Sequence, residues 1–299
     1  MNAKQHDTKA LQDLDKQHYM HPFTDSKAMH KKGTRIITGA DGCYIYDSEG
    51  GKVLDGMAGL WCVAIGYGRH ELADVAAQQM RELPYYNSFF GTAHPPVIKL
   101  AAQLKKLAPA HISHVFFTGS GSESNDTNVR LVRHYWQAKG QPKKRTIISR
   151  YNAYHGSTMA AMSLGGMKGM HDQGGIIDGI EHIMQPHWYH ETLVGESEED
   201  FGLRAAQALE TKILEVGADH VGAFIGEPVQ GAGAVIVPPA SYWPEIQRIC
   251  KKYDILLIAD EVITGFGRTG NWFASETLGI EADLMTIAKG LSSGYMPIG

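Results

Sequence analysis

From His70 onward, amphipathic helical stretches alternate with short apolar runs, a pattern that a parallel sheet covered by helices accommodates better than any other architecture. Helical spacing marks 70–82, 96–107, 122–139, 198–216 and 241–252. Apolar strand candidates are His114–Thr118, Arg145–Ser149, Val221–Gly226, Ile255–Ala259 and Leu284–Ala288. Ahead of this portion, residues 8–20 suggest a short helix. "RIITGADGCYIYDSEGGKVLDGMAGL" then alternates apolar and polar residues around Asp41-Gly42 and Glu49-Gly50-Gly51, as a small antiparallel sheet does. The expected division is therefore 1–69 for the helix and small sheet and 70–299 for a large α/β domain. A chain of 299 residues has room for both.

Ligands of parallel sheets bind beyond the carboxyl ends of the strands, so the residues that follow each strand matter most. After "HVFFT" comes "GSGSESND", a glycine-serine turn opening a helix. Its free amides and the positive end of the helix dipole suit a phosphate. An N-capped helix with Ser120 or Ser122 as cap explains the same residues equally well. After "RTIISR" comes the aromatic stretch Tyr151-Asn152-Ala153-Tyr154-His155; after "VGAFIG" comes Glu227; after "ILLIA" come Asp260 and Glu261. "DLMTIA" ends in Lys289, a lysine emerging from an apolar strand. Each feature has an ordinary structural explanation alone. Together they comprise a phosphate cradle, an aromatic lid, a carboxylate and an amine, which are the parts that pyridoxal 5′-phosphate (PLP) requires.

"GFGRTG" (residues 265–270) fits G-x-G-x-x-G, but "DEVIT" separates it from its strand and "NWFASETLG" opens a helix poorly. A dinucleotide fingerprint opens a helix directly after its strand. A tight loop with Arg268 pairing locally is the expectation instead, and Asp260 is the functional acid of the stretch. His182, His187 and His190 lack helical ligand spacing with an acid nearby, so no metal site is expected. No G-x-S-x-G elbow is present to support a serine hydrolase.

Composition narrows the remaining classes. A net charge of −4 argues against nucleic acid as a partner. No apolar run approaches the roughly 20 residues of a membrane helix, and the N-terminal residues lack the apolar core of a secretory signal. Cys43, Cys62 and Cys250 are odd in number and far apart, which favours a reducing, cytoplasmic setting over a disulfide framework.

The segments "FFTGSGSESND", "YNAYHGST", "GEPVQGAGAVIVPP", "LLIADEVITGFGRTG" and "DLMTIAKGLSSGYMPIG" resemble the class III (ω-) aminotransferases of PLP fold type I. With "HPFTD", "GMAGLWCVAIGYG" and "PYYNSFFGTAHP", the resemblance extends over nearly the whole chain. "MRELPYYN" and "VRHYWQAKGQPKK" look most like the members that pass an amino group from putrescine or another polyamine to pyruvate. The resemblance implies that Lys289 holds the cofactor as a Schiff base and shuttles the proton, while Asp260 pairs with the ring nitrogen. It implies further that Val262 packs under the ring, Tyr154 stacks above it with His155 alongside, and Ser120, Gly121 and Ser122 hold the phosphate. Glu227 would order the site, and Phe23, Trp61 and Phe89 would line the amine pocket; ordinary core aromatics explain those three nearly as well. A homodimer is implied too. β-Alanine-type ω-amino acids are the alternative donors, and an inactive fragment of such an enzyme is the alternative state.

The chain departs from the family pattern at Ser124 and Gly226, where Ala is usual. It also stops at Gly299, ten residues past Lys289. By the resemblance, an interior strand, a neighbour-subunit threonine that touches the phosphate, a carboxylate-binding arginine and a carboxyl-terminal small domain would follow. Met1–Gly299 alone is accordingly expected to aggregate or to bind PLP weakly.

Overall fold

A computed structural model describes residues 6–299. The chain forms two compact units, one ending at Pro84 and the other running from Tyr85 to Gly299. The helix His70–Glu82 thus belongs to the first unit, although its sequence pattern groups it with the α/β portion.

In the first unit, Asp7 and Asp25 cap the helices Thr8–His18 and Ser26–Lys32 by accepting from the amides of Ala10 and Ala28. Strands β1 (Ile37–Asp41), β2 (Tyr44–Asp47) and β3 (Lys52–Leu54) form an antiparallel sheet in that order. Gly42 turns the first hairpin with φ 56°. At the second hairpin, Asp47 Oδ1 accepts from Gly51 N at 2.7 Å. After β3 the backbone does something uncommon. Ala58, Gly59, Leu60 and Trp61 have φ of 48°, 58°, 66° and 67°, and Trp61 N and Cys62 N donate to Met57 O and Ala58 O. This is one turn of left-handed helix, a conformation that costs roughly 1–2 kcal/mol per residue that carries a Cβ.

The second unit is built on a five-stranded sheet of order β5-β4-β6-β7-β8, with every pair parallel. The strands are β4 (Thr146–Arg150), β5 (Ile180–Ile183), β6 (Val221–Gly226), β7 (Leu256–Asp260) and β8 (Leu284–Thr286). Successive side chains leave a strand on opposite faces, so apolar runs buried on both sides supply two cores. Ile148, Phe224 and Leu257 pack with Phe201, Leu209 and Ile213 of the helix Glu198–Val216 and with Trp243 and Ile246 of Tyr242–Lys252. Their neighbours Ile147, Ala223, Ile225 and Ile258 pack on the other side with Val129, Val132 and Trp136 of the helix Gly121–Ala138.

Two strand expectations fail. His114–Thr118 is not part of the sheet; the Thr118 backbone pairs with Gly299, exchanging hydrogen bonds of 2.8 and 2.9 Å. A cleft of about 390 Å³, lined by Phe117, Thr118, Leu284, Met285 and Ile287 among others, is shared with β8. An apolar run becomes a strand only where a neighbour's backbone runs alongside it within hydrogen-bond reach, and among the described residues only Gly299 meets this run, at its last residue. β8 ends at Thr286 rather than Ala288, and at Lys289 (φ 43°) the backbone leaves the extended region.

Candidate cofactor site at the carboxyl edge of the sheet

β7 delivers Asp260 to the carboxyl edge of the sheet, 3% exposed. Its Oδ1 accepts from Val262 N at 3.1 Å. Its Oδ2 accepts from Asn125 Nδ2 at 2.8 Å and from the Nδ1–H of His155 at 2.7 Å. The next residue faces the opposite way: Glu261 is fully buried and accepts from Ser275 N and Oγ (2.6 Å each), Ala274 N (3.1 Å) and the Thr264 hydroxyl. Glu261 thereby caps the helix Ala274–Leu278. The alternation of an extended chain separates the two acids.

Asn125, which the sequence reading did not single out, links three elements. Its Nδ2 also donates to His155 O at 2.8 Å. Its Oδ1 accepts from Thr286 Oγ1 at 2.7 Å and from Asn128 Nδ2 at 3.3 Å, and Asn128 donates to Thr286 Oγ1 at 2.8 Å. A signal exists in the sequence. Asn125 and Asn128 lie at helical spacing on the stripe that continues as Val129, Val132 and Trp136, and polar groups on a buried stripe need built partners. His155 Nε2 is buried and has no hydrogen-bond partner among the described residues.

Ser120 is the N-cap of the helix Gly121–Ala138: its hydroxyl accepts from Glu123 N at 3.3 Å, and Glu123 Oε2 accepts from Gly119 N at 2.6 Å. The amides of Gly121 and Ser122 lead this helix, where no earlier turn can accept them. A Cβ on Gly121 would stand 2.8 Å from Val262 Cγ2 and 3.6 Å from Ala288 Cβ, so the helix start, the turn after β7 and the end of the lysine strand converge. Ser122 Oγ accepts from Ser157 N at 3.1 Å, which joins the Tyr154–Ser157 turn to the same point. Ser124 Oγ donates to Ser120 O at 3.0 Å and meets Thr118 Oγ1 at 2.7 Å, contacts that alanine could not make.

Glu227 is 2% exposed; its two oxygens accept from Tyr154 N at 3.0 Å and Gly231 N at 2.8 Å. Its carbonyl accepts from Arg150 Nη2 at 2.6 Å, and that guanidinium lies in the core 5.8 Å and 5.5 Å from the Tyr242 and Trp243 ring centres. Gly226 makes room for this arrangement, since a Cβ there would approach Trp243 Cη2 to 3.0 Å and Arg150 Nη2 to 3.2 Å. Burial pushes the Glu227 carboxyl up from the ordinary carboxylate range and pushes the Tyr154 phenol up as well. A carboxyl whose folded pKa is raised binds its proton more tightly than the unfolded chain does. Its stabilising contribution is complete below the ordinary value of 4.5 and is lost as pH rises through the raised value. Glu227→Gln keeps one acceptor oxygen and removes this slope. Urea midpoints measured across that window are expected to fall with pH more steeply in the wild type than in the variant; parallel curves would refute the burial argument.

Lys289 begins a 3₁₀ turn, Lys289–Leu291, and its ammonium makes no hydrogen bond or ion pair among the described residues. Lys168, by contrast, is solvent-exposed and bridges Asp172 at 2.8 Å. The "GFGRTG" segment closes as a tight loop: Phe266 N donates to Trp272 O, Gly267 N to Asn271 O and Arg268 Nε to Ile263 O. No helix opens on it, and Phe266 packs 3.0 Å from where a Cβ of Gly290 would be. Phe23 and Trp61 belong to the first unit and Phe89 to the second; Phe23 and Phe89 are each 71% exposed, whereas Trp61 is half-buried in the left-handed turn. His182 pairs with Gly165 O at 2.7 Å, and the rings of His187 and His190 meet edge to face. Among the described residues no three metal-ligating side chains cluster, and no helix is long and apolar enough to cross a membrane.

Residues 26–299 match the family described as Aminotransferase class-III. The chain is 61% identical over its whole length to a putrescine–pyruvate aminotransferase of Pseudomonas aeruginosa, spanning 65% of that protein. It is 46% identical, over 88% of its length, to a diaminobutyrate–2-oxoglutarate transaminase of Halomonas elongata, spanning 57% of it. Among solved structures, the ω-transaminase of Pseudomonas jessenii in complex with PMP superposes with a TM-score of 0.95 at 48% identity. That match covers 96% of this chain and 64% of the other. The chain therefore spans less than two thirds of the length of these relatives.

Proposed function

The chain belongs to the class III aminotransferase family, whose members depend on PLP, and on that footing we propose that it transfers an amino group from a primary amine, a putrescine-like diamine, to pyruvate. The observation that carries the cofactor assignment is the donor set around Asp260. An ionised carboxylate offers about four lone-pair sites. Three are taken by Val262 N, Asn125 Nδ2 and His155 Nδ1, which leaves one on Oδ1 for a ring N–H. The glycine cradle at Gly121 and a Lys289 amine that makes no hydrogen bond or ion pair among the described residues fit the same group.

When bound, PLP supplies an electrophilic carbon and a protonated ring that withdraws electrons. In this proposal Lys289 is the nucleophile that holds it, and its amine moves the proton to and from the substrate carbon. Asp260, oriented by Asn125 and His155, would hold negative charge toward the ring nitrogen, and Val262 and Tyr154 would pack against the ring. The amides of Gly121 and Ser122, with Ser120 as cap, receive the phosphate. Glu227 fixes the Tyr154 turn through its backbone. Phe23, Trp61 and Phe89 are the amine-binding aromatics that the resemblance implies, and such apolar side chains suit a methylene chain and penalise a carboxylate on the donor. Large exposed aromatics of the second unit, Tyr85, Phe89 and Phe90 among them, support burial in a homodimer. The free thiols of Cys43, Cys62 and Cys250 are consistent with a cytoplasmic location.

A second reading, a β-alanine-type ω-amino acid as donor, is favoured by the Halomonas relative, whose named donor is itself an amino acid. Initial rates with putrescine, cadaverine, β-alanine, ornithine and glutamate, each against pyruvate and 2-oxoglutarate, separate the two. The diamines with pyruvate are expected to give the highest kcat/KM. A preference for glutamate or ornithine would sink the diamine assignment.

A further inference from the structure

Thr286 and Asp260 stand side by side in the sheet of the second unit. They are register partners in β8 and β7, and Thr286 O accepts from Glu261 N at 2.9 Å. Both side chains meet the helix Gly121–Ala138, Asp260 at Asn125 and Thr286 at Asn125 and Asn128. Asn125, Asn128, Asp260 and Thr286 are all buried. Polar groups placed in a core need their donors matched to acceptors, so the direction of each hydrogen bond here carries information.

A carboxamide has two N–H donors and two lone pairs on its oxygen, and Asn125 uses all of them. Nδ2 donates to Asp260 Oδ2 and to His155 O, each at 2.8 Å. Oδ1 accepts from the Thr286 hydroxyl at 2.7 Å and from Asn128 Nδ2 at 3.3 Å. Turned end for end, this carboxamide would set its oxygen against the Asp260 carboxylate and the His155 carbonyl. The Thr286 hydroxyl supports the observed orientation. It accepts from Asn128 Nδ2 at 2.8 Å, so its own proton goes to Asn125 Oδ1. The hydrogen bonds thus run one way, from Asn128 to Thr286 to Asn125, and end on the Asp260 carboxylate. With His155 Nδ1 they fill Oδ2, while Oδ1 accepts only Val262 N among the described residues.

We propose that Thr286 is a positioning residue of the cofactor site, whose hydroxyl, acting through Asn125, holds the Asp260 carboxylate with Oδ2 filled and a lone pair of Oδ1 kept for the ring nitrogen. The proposal rests on the reading of Asp260 as the partner of that nitrogen, and it deepens that reading. Thr286 lies in the strand that leads to Lys289, three positions before the lysine. Its backbone fixes that strand to β7 and its side chain sets the acid, so one residue ties the placement of the amine to the orientation of the carboxylate.

The test compares Thr286→Val, Thr286→Ser and Asp260→Asn in the holoenzyme, loaded with PLP that carries nitrogen-15 in its ring. Valine keeps the shape of threonine without the hydroxyl, and serine restores the hydroxyl. The ring resonance followed against pH reads protonation of the ring nitrogen. A second sample with nitrogen-15 histidine reads the His155 Nδ1–H, identified by its loss in His155→Phe. The titratable side chains His155, Glu227 and Tyr154 interact with the Asp260 charge, and the Thr286 variants leave all three in place. In Thr286→Val the ring nitrogen is expected to lose its proton about one pH unit lower than in the wild type, the scale of one hydrogen bond to a charged group. Turnover of putrescine should fall about tenfold in kcat with KM unchanged, and Thr286→Ser should restore both. A folded Thr286→Val whose ring resonance follows pH as in the wild type overturns the proposal, as does a loss that Thr286→Ser fails to repair. Should Thr286→Val not fold, Asn128→Ala removes the donor behind Thr286 and must move the ring resonance in the same direction. If Asp260→Asn itself leaves the ring resonance unchanged, the reading of Asp260 as the ring's partner fails instead. The His155 Nδ1–H resonance then decides separately whether Thr286 holds the carboxylate: a shift in Thr286→Val that Thr286→Ser reverses supports that role, and an unmoved resonance overturns it.

Discussion

Lys289→Ala is expected to abolish the covalent attachment of PLP and to lower turnover by at least about 10³-fold, since one amine both bonds the cofactor and moves the proton. The geometry distinguishes this lysine from the others in two ways. Its backbone is turned to φ 43° by the residues that end β8, and its ammonium makes no hydrogen bond or ion pair among the described residues. An exposed amine held in an ion pair, such as Lys168 with Asp172, is a poor nucleophile. Lys289→Arg should fail as completely, because a guanidinium does not deprotonate in a protein. Borohydride reduction followed by peptide mass mapping checks the assignment. Label found on Lys168 or any lysine other than Lys289 would refute it.

Asp260→Asn and Glu261→Gln should part company. The first is expected to retain PLP and lose about 10²- to 10⁴-fold in kcat, because an amide carries no charge to keep the ring nitrogen protonated. It also sets an N–H₂ or a neutral oxygen where Asn125 Nδ2 and His155 Nδ1 now meet a carboxylate. The second should keep near-wild-type kcat and lose stability instead. Glu261 accepts from the Ser275 and Ala274 amides and from two hydroxyls, and each buried donor left unmet costs about 1–3 kcal/mol. Steady-state kinetics beside urea unfolding of both variants reads the separation. A fully active Asp260→Asn with a folded but inactive Glu261→Gln would show that the wrong acid was assigned.

The helices Glu198–Val216 and His70–Glu82 and the strand Val221–Gly226 lie where their patterns put them, since amphipathic period and apolar runs are local properties. Residues 114–118 have the same apolar character and yet form no sheet strand, because pairing requires a neighbour and no composition supplies one. The candidate site divides along the same line. Lys289 and Asp260 are visible as chemistry following strands, and the Ser120–Ser122 turn as a glycine-serine helix start. Asn125 and Asn128 are not, for an asparagine in a helix is unremarkable until its buried partners are known.

By itself, then, the sequence determined the parallel α/β class and which chemical groups follow its strands, because periodicity and strand-end position are encoded residue by residue. Only the tertiary structure decided which of two adjacent acids joins His155 and Asn125, which one caps a helix, and that Ala58–Trp61 winds left-handed under Asp55 and Tyr67. Those outcomes depend on hydrogen bonds between residues far apart in the chain, Asn125 with Asp260 or Tyr67 with Asp55, and they exist only once folding has brought the partners within about 3 Å.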